Sequence, residues 1–215
     1  MLKIDRFEYN LFGVNTYVIH DTVSMEAAVV DPGMDNPDDC EQFAQWIARQ
    51  RLQVTMLINT HLHIDHALAD AYVEARYGVG LTACADDAPL GRQLKEQAMM
   101  FRLRGINPQP EEISTEVKQG DTLYLGTEPL KVLQVPGHSP GSIAIYCPTA
   151  GFVITGDALF RGSIGRTDLP GGSHPQLIGS ITSRLLTLPA ETVVYPGHGP
   201  ATTIGAEATS NPYFR

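Results

Sequence analysis

The chain has 215 residues, of which 43% are hydrophobic and 18% charged, a globular composition long enough to bury a large core without disulfides. Its 15 Lys and Arg against 24 Asp and Glu leave a formal charge of −9, which speaks against an extended nucleic-acid surface and against docking on an anionic membrane. No apolar run approaches the roughly 18 residues of a membrane span, and Met1-Leu2-Lys3-Ile4-Asp5-Arg6 lacks the apolar stretch of a secretion signal, so a cytoplasmic location is expected.

In chain order, Thr16–Ile19 and Ala27–Val30 are short runs of β-formers bounded by turn residues, the second ending at Asp31-Pro32-Gly33. From Pro37 to Leu52 the apolar residues Cys40, Phe43, Ala44, Ile47 and Ala48 recur at helical spacing. Val54–Thr60 reads as a buried strand, and Ala67–Tyr77 as a helix capped by Gly78. A further helix is expected from about Ala88 to Leu103, before Pro108 and Pro110. The second half resumes with strands at Thr122–Leu125, Lys131–Val135, Ser142–Tyr146 and Phe152–Thr155. A helix from about Pro175 to Leu186 follows, then the strand Thr192–Tyr195. No linker divides the chain, so one mixed α/β domain over residues 1–215 is expected. Cys40, Cys84 and Cys147 form neither a CxxC pair nor a disulfide framework and read as buried thiols.

The histidines carry more information. His61, His63, Asp65 and His66 fall within six residues directly after a strand, and imidazole with carboxylate suits zinc and other first-row divalent metals. Three later segments repeat one pattern, an apolar strand ending in a glycine turn with a ligand-type residue: Val135-Pro136-Gly137-His138, Ile154-Thr155-Gly156-Asp157 and Tyr195-Pro196-Gly197-His198. Loops at the ends of rigid strands are where functional groups concentrate.

Together these segments resemble the metallo-β-lactamase superfamily. Its HxHxDH signature is complete as His61, His63, Asp65 and His66, and His138, Asp157 and His198 follow in the family's order. Gly165-Arg166-Thr167-Asp168, Tyr195-Pro196-Gly197-His198-Gly199 and the closing Asn211-Pro212 look most like the short glyoxalase II-like (hydroxyacylglutathione hydrolase-like) group. The resemblance implies a four-layer αββα sandwich of two mixed sheets flanked by helices, with two divalent metal ions at one edge. Zinc is the first expectation, and the same ligands accept iron or manganese. His61, His63 and His138 would hold the first ion, Asp65, His66 and His198 the second, and Asp157 would bridge them. The implied activity is hydrolysis of a 2-hydroxyacyl thioester, with Asp65 and Asp157 as the catalytic carboxylates and hydroxide generated at the dinuclear site as nucleophile. The expected partner is a small-molecule thioester, with neither nucleic acid nor membrane.

Several residues have two readings. Asp31 matches a family position near the metals and is also a turn aspartate stabilising its own loop. Arg166 can steady an anionic substrate or form a surface ion pair. Met99 and Phe101 read as the buried face of a helix or as an adaptable apolar wall over the substrate. His20 and His174 match no ligand position. The rival activity is a persulfide dioxygenase with one iron on residues matching His61, His138 and Asp157. Its last ligand segment usually reads Pro-Ala-His-Asp, and Pro196-Gly197-His198-Gly199 here favours the hydrolase. A β-lactamase would generally lack a bridging aspartate like Asp157, and a metal-binding protein without catalysis is the non-enzymatic alternative. Only 17 residues follow His198, fewer than the helical region with which full-length glyoxalase II enzymes contact the thiol, so glutathione specificity is not expected.

Overall fold

The computed structural model describes residues 1–215 and has two six-stranded sheets. The first takes β1 (Leu2–Tyr9), β2 (Val14–Asp21), β3 (Glu26–Val30), β4 (Gln53–Ile58), β5 (Leu81–Ala83) and β6 (Thr115–Glu116) in sequence order, antiparallel as far as β3 and parallel from there. The second half supplies β7 (Thr122–Leu125), β8 (Glu128–Gln134), β9 (Ile143–Cys147) and β10 (Phe152–Gly156). A two-stranded ribbon of β11 (Leu159–Phe160) and β12 (Ser163–Ile164) follows, then β13 (Val193–Pro196) and β14 (Thr202–Thr203). Their order is β14-β13-β10-β9-β8-β7, with β10 and β13 parallel. The helices are α1 (Pro37–Gln50), α2 (Asp70–Tyr77), α3 (Ala88–Arg92), α4 (Leu94–Met100), α5 (His174–Ser180) and α6 (Ile204–Ser210).

The layers follow from the two-residue period of a strand. On β2 and β3, Val18, Ala27 and Val29 pack with Phe43 and Ile47 of α1, Val73 of α2 and Leu94 of α4. Their neighbours Tyr17, Ile19, Ala28 and Val30 face the second sheet and meet Leu130, Val132, Ile145 and Ile154. On β9 and β10, Ala144 and Val153 point the other way, toward Leu177, Ile181, Leu185 and Ile204. Both faces of each sheet are therefore buried, and the result is the expected αββα sandwich of two mixed sheets flanked by helices. No helix is long and apolar enough to cross a membrane.

The sequence pattern leaves β1, the short strands β5, β6, β11, β12 and β14, and α6 unassigned, and two expected helices are interrupted. β1 has no clean alternation because its apolar residues change face along its length. Leu2 and Ile4 pack between the sheets, whereas Phe7 and Tyr9 pack toward α1, with Phe7 against Trp46 at 4.9 Å. The helix expected over residues 88–103 is broken at Gln93 (φ −106°, ψ 22°), after Gly91, where a Cβ would stand 3.0 Å from Leu62 and 3.1 Å from the Glu111 carbonyl. The helix expected to Leu186 keeps α geometry only to Ser180 and widens into a π turn over Ile181–Leu185. Cys84 and Cys147 are buried and Cys40 is half-buried on α1.

Candidate metal centre

Each ligand-type residue lies just beyond a strand, at the same edge of both sheets. The segment from His61 to His66 leaves β4 and forms a single 3₁₀ turn over Ile64–His66. His138 follows β8, Asp157 follows β10 and His198 follows β13. Glycine permits the last two approaches. Gly156 turns the chain at φ +49°, a left-handed value costly for other residues. At Gly197 any Cβ would overlap Asp157 Oδ1 and stand 2.8 Å from His66 Cε1.

The side chains converge as two groups. In the first, His138 Nε2 lies 2.8 Å from His63 Nδ1 and 3.2 Å from His61 Nε2. In the second, His198 Nε2 lies 3.3 Å from His66 Nε2 and 3.2 Å from Asp65 Oδ2. Asp157 stands between them, with Oδ1 3.4 Å from His66 Nε2 and Oδ2 3.6 Å from both His138 Nε2 and His198 Nε2. Donors about 2.0–2.1 Å from one tetrahedral ion are about 3.3 Å from each other, so these spacings are those of ligand sets.

The outward ring atoms decide which nitrogen is free. His138 Nδ1 donates to the Arg166 carbonyl at 2.8 Å and His198 Nδ1 to the Phe12 carbonyl at 3.1 Å, both acceptor-only groups. His66 Nδ1 donates to Asp31 Oδ2 at 3.0 Å. Thr60 Oγ1 gives its proton to Asp31 Oδ2 at 2.7 Å and so accepts from His61 Nδ1 at 3.1 Å. In all four rings Nδ1 is taken by an outer partner, so the four Nε2 atoms are the ones turned inward. Burial alone would lower His66 and His198, but Asp65 and Asp157 outweigh it and raise both. Burial pushes the His61 pKa well down and that of His63 to about 3, so both rings are neutral. Burial alone would raise Asp157, but His66, His198 and His138 outweigh it and hold the carboxyl below its usual range. Asp157 Oδ1 is buried and has no hydrogen-bond partner. Lone pairs and carboxylates packed this closely fit divalent cations held in common, and they fit little else.

Asp31 stabilises its own turn and also touches a candidate ligand. It is fully buried at φ +52°, accepts from Thr60 N and Oγ1, and orients His66. The Arg166 guanidinium pairs bidentately with Asp168 at 2.7 and 2.8 Å at the surface, while its main chain orients His138. Phe101 lines the cleft over the centre together with Phe12, Arg166 and Leu169. Met99 does not: it is 69% exposed, neither core nor cleft. α4 buries Leu94, Gln97 and Ala98, and at 100° per residue position 99 turns outward. His20 bonds Asp5 at 3.0 Å between β1 and β2, and His174 begins α5.

Residues without a motif hold the ligand loops. Asp87 accepts from Leu62 N, Ser139 Oγ and Gly141 N, joining the loops of His61–His63 and His138. Burial raises its pKa despite these donors. Gln97 accepts from Ile64 N and donates to the carbonyls of Leu62 and Leu90, latching α4 onto the same loop. Asn15 and Tyr17 donate to the Pro196 carbonyl and fix the His198 loop. Their partners are far away in the chain, and only Thr60, next to His61, lay within reach of a local reading.

The sequence pattern that defines the Metallo-beta-lactamase superfamily matches residues 9–198. The chain belongs to the metallo-β-lactamase superfamily. It is 35% identical over 215 residues to the hydroxyacylglutathione hydrolase GloC of Haemophilus influenzae, covering 99% of this chain and 98% of that one. Among solved structures, TTHA1623 in a di-iron-bound form superposes with a TM-score of 0.86 at 34% identity, over 97% of this chain and 99% of the other. The B3 metallo-β-lactamase BLEG-1 superposes with a TM-score of 0.87 at 32% identity, over 99% of both. A glutathione-thioester hydrolase and a β-lactamase thus share this scaffold at similar identity. The chain therefore belongs to a superfamily of metallo-hydrolases, and the cleft must carry the choice of substrate.

Proposed function

We propose that the chain hydrolyses a thioester of a small acyl group, 2-hydroxyacyl groups among them, with two divalent cations and without a fixed requirement for glutathione. The observation that carries this reading is the pair of three-donor groups sharing Asp157. His61, His63 and His138 would hold one ion, Asp65, His66 and His198 the other, and zinc, iron and manganese all suit a nitrogen and oxygen donor set that lacks thiolate. When bound, the cations supply a nucleophile from water near neutral pH and polarise the acyl carbonyl.

The residues of the chain do the rest. Asp65, 3.2 Å from His198 and at the edge of the cleft, orients the attacking water and accepts its proton. Phe12, Phe101 and Leu169 shield the reacting carbonyl from solvent. The one ionisable side chain of the cleft besides the candidate ligands, Arg166, is a guanidinium that does not give up its proton, so the cleft carries no spare general acid. A thioester needs none, because a thiol of pKa near ~8.5 leaves as thiolate. An amide or phosphodiester would make a greater demand on an acid.

The test is metal analysis of wild type and His198→Ala, with a panel of thioesters on protein of measured metal content. Two equivalents in wild type, about one in the variant, and turnover of several thioesters are expected. One equivalent of iron, with oxygen uptake on a persulfide, would replace this reading by the dioxygenase.

A further inference from the structure

Beside the cleft over the metal-ligand groups, a second cavity of about 60 Å³ opens on the side of His63. The two share His63, Phe101 and Leu169, so the smaller adjoins the larger, which measures about 180 Å³, as an arm beside it. Leu90, Met100, Phe101, Leu169 and Pro170 wall the arm. Gln97, also in its lining, gives both amide protons to the Leu62 and Leu90 carbonyls and accepts from Ile64 N, so it has no N–H left to offer a ligand. Apart from His63, shared with the cleft, the polar side chains left are Gln93 and Glu96. No Lys or Arg lines the arm, and the one cation of the cleft, Arg166, already holds Asp168 through both carboxylate oxygens.

We infer that this arm is an acyl-specificity pocket that receives a short, uncharged aliphatic group of two to three carbons. The volume sets the size: a dry protein cavity of ~150 Å³ takes up benzene, so about 60 Å³ admits a few aliphatic carbons and excludes a ring. The charge sets the kind. A terminal carboxylate entering the arm would meet Glu96 and find no cation, whereas a methylene chain would meet Leu90, Phe101 and the adaptable thioether of Met100. The inference rests on the proposed thioester reading only in taking the group at the metal centre to be an acyl carbonyl. The wider lobe between Phe12 and Arg166 is then left for the thiol half.

Carboxylic acids, the products of the reaction, test the arm without turnover. Zinc-loaded protein labelled with ¹³C at its methionine methyls is titrated with acetate, butanoate, succinate and benzoate, and the Met100 resonance is assigned from Met100→Leu. Butanoate should bind on the order of tenfold more tightly than acetate, the factor that two buried methylenes supply, and should shift the Met100 methyl. Succinate should bind at least ~10-fold more weakly than butanoate, and benzoate should leave Met100 unmoved. Glu96→Gln should restore part of the succinate affinity and leave butanoate unchanged. Leu90→Phe, which fills the arm, should abolish the gain of butanoate over acetate while acetate still binds, showing that the metal centre remains intact.

Equal binding of butanoate and acetate, or butanoate binding with no Met100 shift, would overturn the inference, as would succinate or benzoate binding as well as butanoate. Thioester hydrolysis measured alongside separates the two levels. The acid pattern without hydrolysis removes the thioester reading and keeps the arm, and hydrolysis without the pattern does the reverse.

Discussion

Replacing Asp87 probes the centre without touching a ligand. Its carboxylate accepts from Leu62 N at 3.1 Å, Gly141 N at 2.6 Å and Ser139 Oγ at 2.7 Å, all in buried surroundings. Ser139 has a second partner in Ser142 Oγ at 2.7 Å, so Asp87→Ala orphans two backbone donors rather than three. Each orphan costs about 1–3 kcal/mol. The variant is also relieved of burying a charge, a burden visible in the raised pKa of Asp87, which offsets part of the loss. A net destabilisation of about 3 kcal/mol results, and at about 2–4 °C per kcal/mol for a chain of this size the melting temperature should fall by about 6–12 °C. Asp87→Asn keeps an acceptor toward Leu62 and Ser139 but turns an amide donor on Gly141 N–H, so its loss should be about half. The metal readout separates positioning from bulk stability. Asp87 ties the loops of His61–His63 and His138, whereas Asn15 and Tyr17 hold His198. Equilibrium dialysis against a metal buffer should therefore show the ion at His61, His63 and His138 weakened by ~10–100-fold, as loss of an outer partner typically does, with the other less affected. Calorimetry of both variants and metal-to-protein ratios at fixed free metal are the assays. A melting temperature within about 2 °C of wild type, with unchanged metal content, would refute the assignment.

Two further outcomes are expected. Gly197→Ala places a methyl group on Asp157 Oδ1 and against His66, so it should strip metal at concentrations that saturate wild type, measured by metal analysis, while circular dichroism stays native. Glu111 is pushed up from 4.5 to about 7 by burial and by Glu74, with Asp70 also nearby on α2. The folded state therefore keeps a proton that the unfolded chain releases, and stability falls as pH rises from about 4.5 to 7. Glu111→Gln should flatten that fall, gaining at most about 3 kcal/mol at pH 8 by denaturant titration, and parallel wild-type and variant profiles would refute it.

The residues that converge at the candidate centre were legible in the sequence and their supports were not, for one physical reason. A ligand needs a rigid strand behind it and a turn beside it, and both are written locally, as in Tyr195-Pro196-Gly197-His198. Aiming a ligand needs an acceptor at its far nitrogen, and the fold draws that acceptor from a distance. His66 takes Asp31, 35 residues away, and His198 takes the carbonyl of Phe12, 186 residues away. The sequence pattern leaves β1 unassigned because its apolar residues change face along its length, Leu2 and Ile4 serving one layer and Phe7 and Tyr9 the other. Met99 was misplaced because helical spacing locates a face only when the helix boundaries are known, and the break at Gln93 resets the phase of α4.

That division of labour has a consequence for how the substrate is chosen. The elements that aim the ligands also wall the cleft: the β1–β2 turn supplies the Phe12 carbonyl to His198 and the Phe12 ring to the rim, and α4 supplies Gln97 to the Ile64 amide and Phe101 to the same rim. The two rings meet edge to face at 5.7 Å, so the rim is itself a packed contact between these two elements. A change that reshapes the cleft through the backbone of either element therefore disturbs ligand orientation as well. Side chains at Leu90, Glu96 and Met100 are free of that coupling, since none of them holds a ligand loop through its side chain. Substitutions at those positions can therefore alter the cleft while the residues that aim the metal-ligand groups stay as they are.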